Sequence, residues 1–294
     1  MFQMVRGCAL TLLLVLPATL RGQDVSRRFA PLRPGADTVV AIAFFQPATG
    51  RFAYLGADIR IHAASTMKVP VLIELARRID AGEFKWTDSL PVVNDFISIA
   101  DSSHFSVDAG DDSDSLPYTW IGQNVSIDDL ARQMIVRSSN LATNILIQRL
   151  DARRVTATAH LLGADSVEVL RGVEDGVAYR RGMNNTLTAR GLGKLLEALL
   201  QGRAASAAGT QHILGMLASQ EFNGGIPSGV PAGTLVAHKT GWLTATAHDG
   251  AIVYPANAPP YILVILTKGY ETEPAAEAMM RKIAAEAHAI ATRR

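Results

Sequence analysis

Ser65-Thr66-Met67-Lys68-Val69-Pro70-Val71-Leu72-Ile73-Glu74-Leu75-Ala76-Arg77-Arg78-Ile79 begins with a serine and continues with apolar residues at helical spacing. Met67, Val71, Leu72, Leu75 and Ile79 recur three or four positions apart until Gly82, which predicts a helix opened by Ser65. Ser65 and Lys68 stand at i and i+3, so one helix face carries a hydroxyl and an amine. A serine hydroxyl is a poor nucleophile until a neighbouring base takes its proton, and an amine one turn away is placed to do so. The start of a helix adds unpaired N–H groups and a positive dipole end, which favour negative charge developing on an attacked carbonyl. An isolated serine before a helix is more often only a cap. What decides between the two readings is the company Ser65 keeps elsewhere in the chain.

Upstream, Thr38-Val39-Val40-Ala41-Ile42-Ala43-Phe44-Phe45 is β-branched and aromatic, Pro47-Ala48-Thr49-Gly50 supplies turn chemistry, and Arg51-Phe52-Ala53-Tyr54-Leu55 follows. This predicts a β-hairpin after an irregular lead-in over 24–37. Downstream the pattern is helical: Ser126 caps 127–136, Leu141 to Leu150 is a second apolar-faced segment, and Thr188 caps a third that reaches Leu200 before Gly202. Strand-like runs return at 235–237, 251–254 and 261–266, and an Ala-rich helix over 274–292 closes the chain. The expected fold is α+β in three layers. An antiparallel sheet assembled from both termini carries flanking helices, with an all-α lobe inserted over roughly 66–210 and the site at the seam.

With 294 residues, 48% of them hydrophobic, the chain can bury a large core. Its 28 basic and 27 acidic side chains argue against nucleic acid and for a small neutral substrate. Arg6, the apolar run 8–16 and the smaller residues before Gln23 read as a secretory signal over 1–22, too short to span a bilayer. Its removal takes away Cys8, the only cysteine, leaving no disulfide, thiol nucleophile or thiolate metal site. The expectation is a secreted or periplasmic monomer with no cofactor, no metal and no membrane contact after cleavage. The cluster Asp108, Asp111, Asp112, Asp114 lacks calcium-loop spacing and reads as a solvated loop. No G-x-S-x-G elbow or H-E-x-x-H helix is present, and His238 reads as a packed or surface residue on the strand face opposite Lys239.

Three short motifs occur in order: Ser65-Thr66-Met67-Lys68, Ser138-Ser139-Asn140 and Lys239-Thr240-Gly241. Together they resemble the S-x-x-K, S-D-N and K-T-G set of class A β-lactamases and penicillin-binding serine hydrolases. Asn144 after Asn140, and Pro231-Ala232-Gly233 before the third motif, extend the resemblance over roughly 38–290. It implies a β-lactamase/transpeptidase-like fold and an acyl-enzyme on Ser65, with Lys68 as its base and Ser138 as a hydroxyl relay toward the leaving nitrogen. Asn140, Lys239, Thr240 and Gly241 would bind substrate, and the backbone N–H groups of Ser65 and Trp242 would form the oxyanion hole. The implied substrate is a β-lactam or a D-alanyl peptide.

Two departures stand out. Ser139 replaces the family's aspartate, and the loop expected to carry the deacylating glutamate is altered. Glu174 is the candidate there, three residues after Arg171 where the family has two, and Asn185 stands where an aspartate usually pairs with that arginine. If Glu174 reaches the water, the chain is a β-lactamase. Otherwise it is a slowly deacylating penicillin-binding protein or D,D-peptidase, or a serine hydrolase with another amide or ester substrate. A non-catalytic binder of such ligands would show a broken first motif, and Ser65 and Lys68 are intact.

Overall fold

The computed structural model describes residues 22–293 apart from 33, 34 and 36. The expected secretory segment, save Gly22, and Cys8 lie outside the described residues.

Strand β1 (Gln23–Asp24), β2 (Val39–Gln46) and β3 (Arg51–Leu55) come from the N-terminal part, and β4 (Leu235–Leu243), β5 (Thr246–Tyr254) and β6 (Tyr261–Lys268) from the C-terminal part. They form one sheet in the order β1-β3-β2-β6-β5-β4. Five strands are antiparallel, but β1 joins the edge in parallel, Gln23 opposite Arg51. The lead-in is therefore less irregular than its composition predicts. Its first residue, Asp24, pairs with Phe52, 28 positions later, a contact no local pattern encodes.

The helices are α1 (Lys68–Asp80), α2 (Ile127–Val136), α3 (Asn140–Leu150), α4 (Ala152–Leu161), α5 (Gly176–Arg180), α6 (Ala189–Leu200), α7 (Ala207–Ala218) and α8 (Glu273–Thr292). Successive side chains of a strand point to opposite faces. On one face Ile42, Phe44, Leu263 and Ile265 share a core with Met280, Ile283, Ala287 and Ile290 of α8. On the other, Ala41, Ala43, Ile262, Val264 and Leu266 share a core with Leu192, Leu195, Leu196 and Leu199 of α6. Burial on both faces explains why 261–266 reads as an unbroken apolar run.

The caps read from the sequence are formed: the side chain of Ser126 accepts from Asp129 N, and that of Thr188 from Gly191 N. The segment between the two halves of the sheet is not purely helical, since 89–91 pairs with 124–126 and 96–97 with 104–105. Two strand residues, Ile61 and His62, pair with Leu187 and Thr186. This clamp ties the approach to Ser65 to the end of the Arg171 loop. The turn before α1 also packs on β4, so the first and third motifs meet where lobe and sheet join.

Candidate active site

Ser65 lies in a 3-10 turn, Ala64–Met67, and the α-helix proper starts at Lys68, three residues later than the periodicity suggests. Ala64 immediately before it has φ 45°, in the left-handed region that costs a non-glycine residue free energy. Two bonds from outside the turn hold this bend: Nδ1 of His62 accepts from Ala64 N at 3.0 Å, and Asn185 O accepts from Ala63 N at 2.8 Å. Ser65 then faces a cleft of about 280 Å³ whose walls include His62, Asn140, Glu174, Tyr179 and Trp242.

Behind that wall two lysines converge on one hydroxyl. Lys68 Nζ donates to Ser138 O at 2.5 Å, Ser138 Oγ at 3.2 Å and Asn140 Oδ1 at 3.0 Å. Lys239 Nζ donates to the same Oγ at 3.0 Å and to Thr240 O at 2.9 Å. Both ammonium groups are fully buried. Burial draws Lys68 down to about 7, against the opposing pull of the Asp112 and Glu174 carboxylates. Lys239 is held well below the usual lysine range by burial and by Lys68 itself. An amine can therefore be neutral here near pH 7, which is what a base requires.

Ser138 is itself in the left-handed region, φ 61°. A hydroxyl has two acceptor lone pairs and one proton. With both lone pairs taken by the lysines, the proton of Ser138 Oγ is the part left to donate. One expectation needs correction. Among the described residues Ser65 Oγ is not an acceptor of Lys68 Nζ, whose three donors go to Ser138 and Asn140. Ser65 stands in the 3-10 turn before the helix that Lys68 opens, and the carbonyl of Ser138 and the amide of Asn140 take the ammonium. Loss of one proton from Nζ frees a lone pair and removes one of those bonds.

Asn140 links the lysine to the loop. Its Nδ2 donates to Glu174 Oε1 at 2.7 Å while Asp108 N donates to Oε2 at 3.0 Å. Burial raises the Glu174 carboxyl above its ordinary range, and these two donors partly offset the rise. Glu174 takes φ 62°, a third left-handed residue at the site after Ala64 and Ser138. The loop around it is pinned without the usual ion pair. Asn185, buried, accepts from Leu170 N and Arg171 N at 2.8 and 3.1 Å and returns a bond to Arg171 O at 2.9 Å. The Arg171 guanidinium goes instead to Met183 O, Gly172 O and Asn184 Oδ1. Asn144 exchanges two bonds with the backbone of Val173, one residue before the glutamate.

The third motif supplies the opposite wall. A Cβ on Gly241 would lie 2.9 Å from Thr66 N and 3.0 Å from Ser65 N, so only glycine allows β4 to approach the nucleophile's turn this closely. Thr240 is half-buried in β4 beside Lys239. Trp242 is 59% exposed, at the rim of the cleft, and does not fill it. His238 points away, buried, with Nδ1 2.9 Å from Asp249 Oδ1 and Nε2 3.2 Å from Asn223 Oδ1.

Two site residues had no signal in the motifs. His62 stands in the cleft wall with its imidazole drawn down to about 4 by burial and by the nearby Arg171 and His248. The solvated-loop reading holds for Asp108 and Asp111, which are exposed, but not for Asp112, which accepts from the backbone N–H groups that open α3, nor for Asp114, which is 4% exposed. The composition of that loop is polar, but the Asp112 carboxylate turns to a helix terminus.

A family model described as the β-lactamase enzyme family matches residues 25–291. A β-lactamase of Streptomyces lavendulae is 24% identical over 253 residues, covering 83% of this chain and 78% of that protein. The crystal structure of a β-lactamase from Sphaerobacter thermophilus is similar at TM-score 0.75 and 26% identity, covering 89% of this chain and 94% of that one. The structure of PBP-A has the same fold at TM-score 0.79 and 21% identity, covering 92% and 98%. With the family matched over almost all the described residues, and a serine, two buried lysines and a glutamate gathered at one cleft, the chain belongs to the β-lactamase enzyme family as a serine β-lactamase-type hydrolase.

Proposed function

We propose that this hydrolase opens β-lactam rings through an acyl-enzyme on Ser65, and that Glu174 activates the water that releases it. The observation that carries the reading is the shared hydroxyl: Lys68 and Lys239, both fully buried, donate to Ser138 Oγ, while Asn140 joins Lys68 to Glu174. In acylation neutral Lys68 takes the Ser65 proton and Oγ bonds to the lactam carbonyl carbon. The C=O electron pair moves onto oxygen, which the N–H groups of Ser65 and Trp242 stabilise. As that pair returns, the C–N bond breaks and the nitrogen receives the proton of Ser138 Oγ, replaced from the lysine ammonium. In deacylation the Glu174 carboxylate takes one proton of water, the hydroxide oxygen attacks the ester, and the proton returns to Ser65 Oγ as it leaves. The substrate's carboxylate is received by Lys239 and Thr240. The apolar N-terminal run behind Arg6 supports export of the chain.

Labelling with a fluorescent penicillin, followed by the rate of label loss, tests the reading. Wild type takes up one label and loses it quickly, Ser65→Ala takes up none, and Glu174→Gln takes up the label and keeps it. Persistent label on wild type would make the protein a penicillin-binding protein or D,D-peptidase instead. Unchanged turnover in Glu174→Gln would remove that residue from the mechanism.

A further inference from the structure

The first N–H groups of a helix need acceptors from outside it. In α3 the accounting is complete. Ser139 Oγ accepts from Ala142 N at 3.2 Å, and Ser139 O from Thr143 N at 3.3 Å. The two N–H groups before those go to Asp112: Asn140 N lies 2.9 and 2.8 Å from its two oxygens, and Leu141 N lies 3.0 Å from Oδ2. Ser139 Oγ, at 3.3 Å, and the Tyr118 hydroxyl, at 3.0 Å, donate to the same oxygen. Asp112 therefore collects five hydrogen-bonding contacts at the turn that presents Ser138 and Asn140.

That turn is strained, because Ser138 sits at φ 61°. Such a conformation persists only where neighbours over-determine it. The second motif of this chain carries Ser139 where the motif it resembles carries an aspartate, so the motif has no carboxylate of its own. Asp112, 27 residues earlier, stands 3.3 Å from the Ser139 hydroxyl. From the same loop Asp108 N reaches Glu174 Oε2, so one segment touches both the lysine side and the glutamate side of the cleft.

We propose that Asp112 is a positioning residue for acylation: it supplies from the loop the carboxylate that the second motif lacks, holds Ser138 and Asn140 in place, and sets a fixed negative charge beside Lys68. The inference rests on Ser65 being the acylated nucleophile. The charged groups that face Lys68 are Asp112 from this loop, Glu174 from the Arg171 loop and Lys239 from β4; the neighbours from α3 are neutral. Of these, the Asp112 charge is the foremost influence keeping the proton on Lys68 against burial. Its removal lets Lys68 lose that proton at lower pH.

The test measures the single-turnover rate of Ser65 labelling by a fluorescent penicillin across pH 5 to 9 or so. Asp112→Ala is expected to slow labelling by about ten- to a hundredfold, as misplacement of reacting groups by about 0.5–1 Å does. Adding Ser139→Asp to that variant is expected to recover most of the loss, since it returns a carboxylate to the start of α3, at a side chain now 3.3 Å from that of Asp112. Ser139→Asp alone, which sets two carboxylates together, is expected to be slower than wild type. Asp112→Asn keeps the size of the side chain and is expected to move the acid limb of the profile down by about one pH unit. It carries the pH readout should Asp112→Ala fail to fold. Wild-type rate and profile in the Asp112 variants overturns the inference, and so does a rate loss with an unmoved acid limb and no rescue by Ser139→Asp. A wild type that is never labelled on Ser65 overturns the functional reading along with it, which keeps the two failures distinct.

Discussion

Adding one methyl group at Gly241 is expected to slow acylation more than it harms the fold. An ideal Cβ there lies 2.9 Å from Thr66 N, 3.0 Å from Ser65 N and 3.1 Å from Thr66 Cγ2. Two of these three atoms are backbone, so no side-chain rotation relieves the clash. Bringing the contacts out to about 3.5 Å separates β4 from the Ser65 turn by roughly 0.5 Å. The oxyanion donors proposed above, Ser65 N and Trp242 N, sit on the two segments being separated. Loss of one such donor costs roughly a hundred- to a thousandfold, and a displacement of about 1 Å roughly a hundredfold. Half that displacement predicts an acylation rate lower by about ten- to thirtyfold. Overpacking adds a stability loss of about 1–3 kcal/mol. Stopped-flow acylation with a chromogenic β-lactam measures the first effect and a thermal melt the second. A folded Gly241→Ala protein that acylates within about twofold of wild type would refute the reasoning, because the close approach would then have no catalytic consequence.

His62 has its folded pKa drawn to about 4 from the ordinary 6.5, so its contribution to stability is present above pH 6.5 and is lost as pH falls from 6.5 through 4. A shift of that size corresponds to at most roughly 3 kcal/mol, and partial solvent access reduces it to about 1–2 kcal/mol. His62→Gln should therefore show a shallower fall in melting temperature between pH 7 and about pH 4.5; parallel curves would contradict this. Asn185→Leu strands Leu170 N, Arg171 N and Arg171 O, so a loss of about 2–4 kcal/mol is expected in denaturant unfolding, with deacylation slowed more than acylation. Equal slowing of both steps would mean that the loop's anchoring is not specific to Glu174. His238→Leu leaves Asp249 buried without its partner and should cost about 3–5 kcal/mol by the same measurement. A cost under about 1 kcal/mol would show that the donor from Ile226 N is enough to hold that carboxylate.

The elements legible in the sequence were those whose cause is local. Periodicity placed α1, the Ser126 and Thr188 hydroxyls marked two helix starts, and strand runs at both ends implied a sheet closed by the termini. The three motifs named the residues that the fold gathers at one seam, Ser65, Lys68, Ser138, Asn140 and Lys239. What stayed illegible depends on partners far apart in the chain. Asp112 looks like one of several loop aspartates until α3 is seen to start on it, and Glu174 reaches Asn140 only through a left-handed bend that its spacing from Arg171 does not announce. Asn185 reads as the loss of an ion pair, yet its amide both accepts and donates, and so pins backbone that an aspartate could only accept from.

The central claim is a covalent bond between Ser65 Oγ and the opened lactam, and mass spectrometry of a rapidly quenched reaction with penicillin tests it most directly. The account predicts one adduct per chain, on the peptide containing Ser65, short-lived in wild type, accumulating in Glu174→Gln and missing in Ser65→Ala. An adduct on another residue, or β-lactam hydrolysis undiminished in Ser65→Ala, would contradict it.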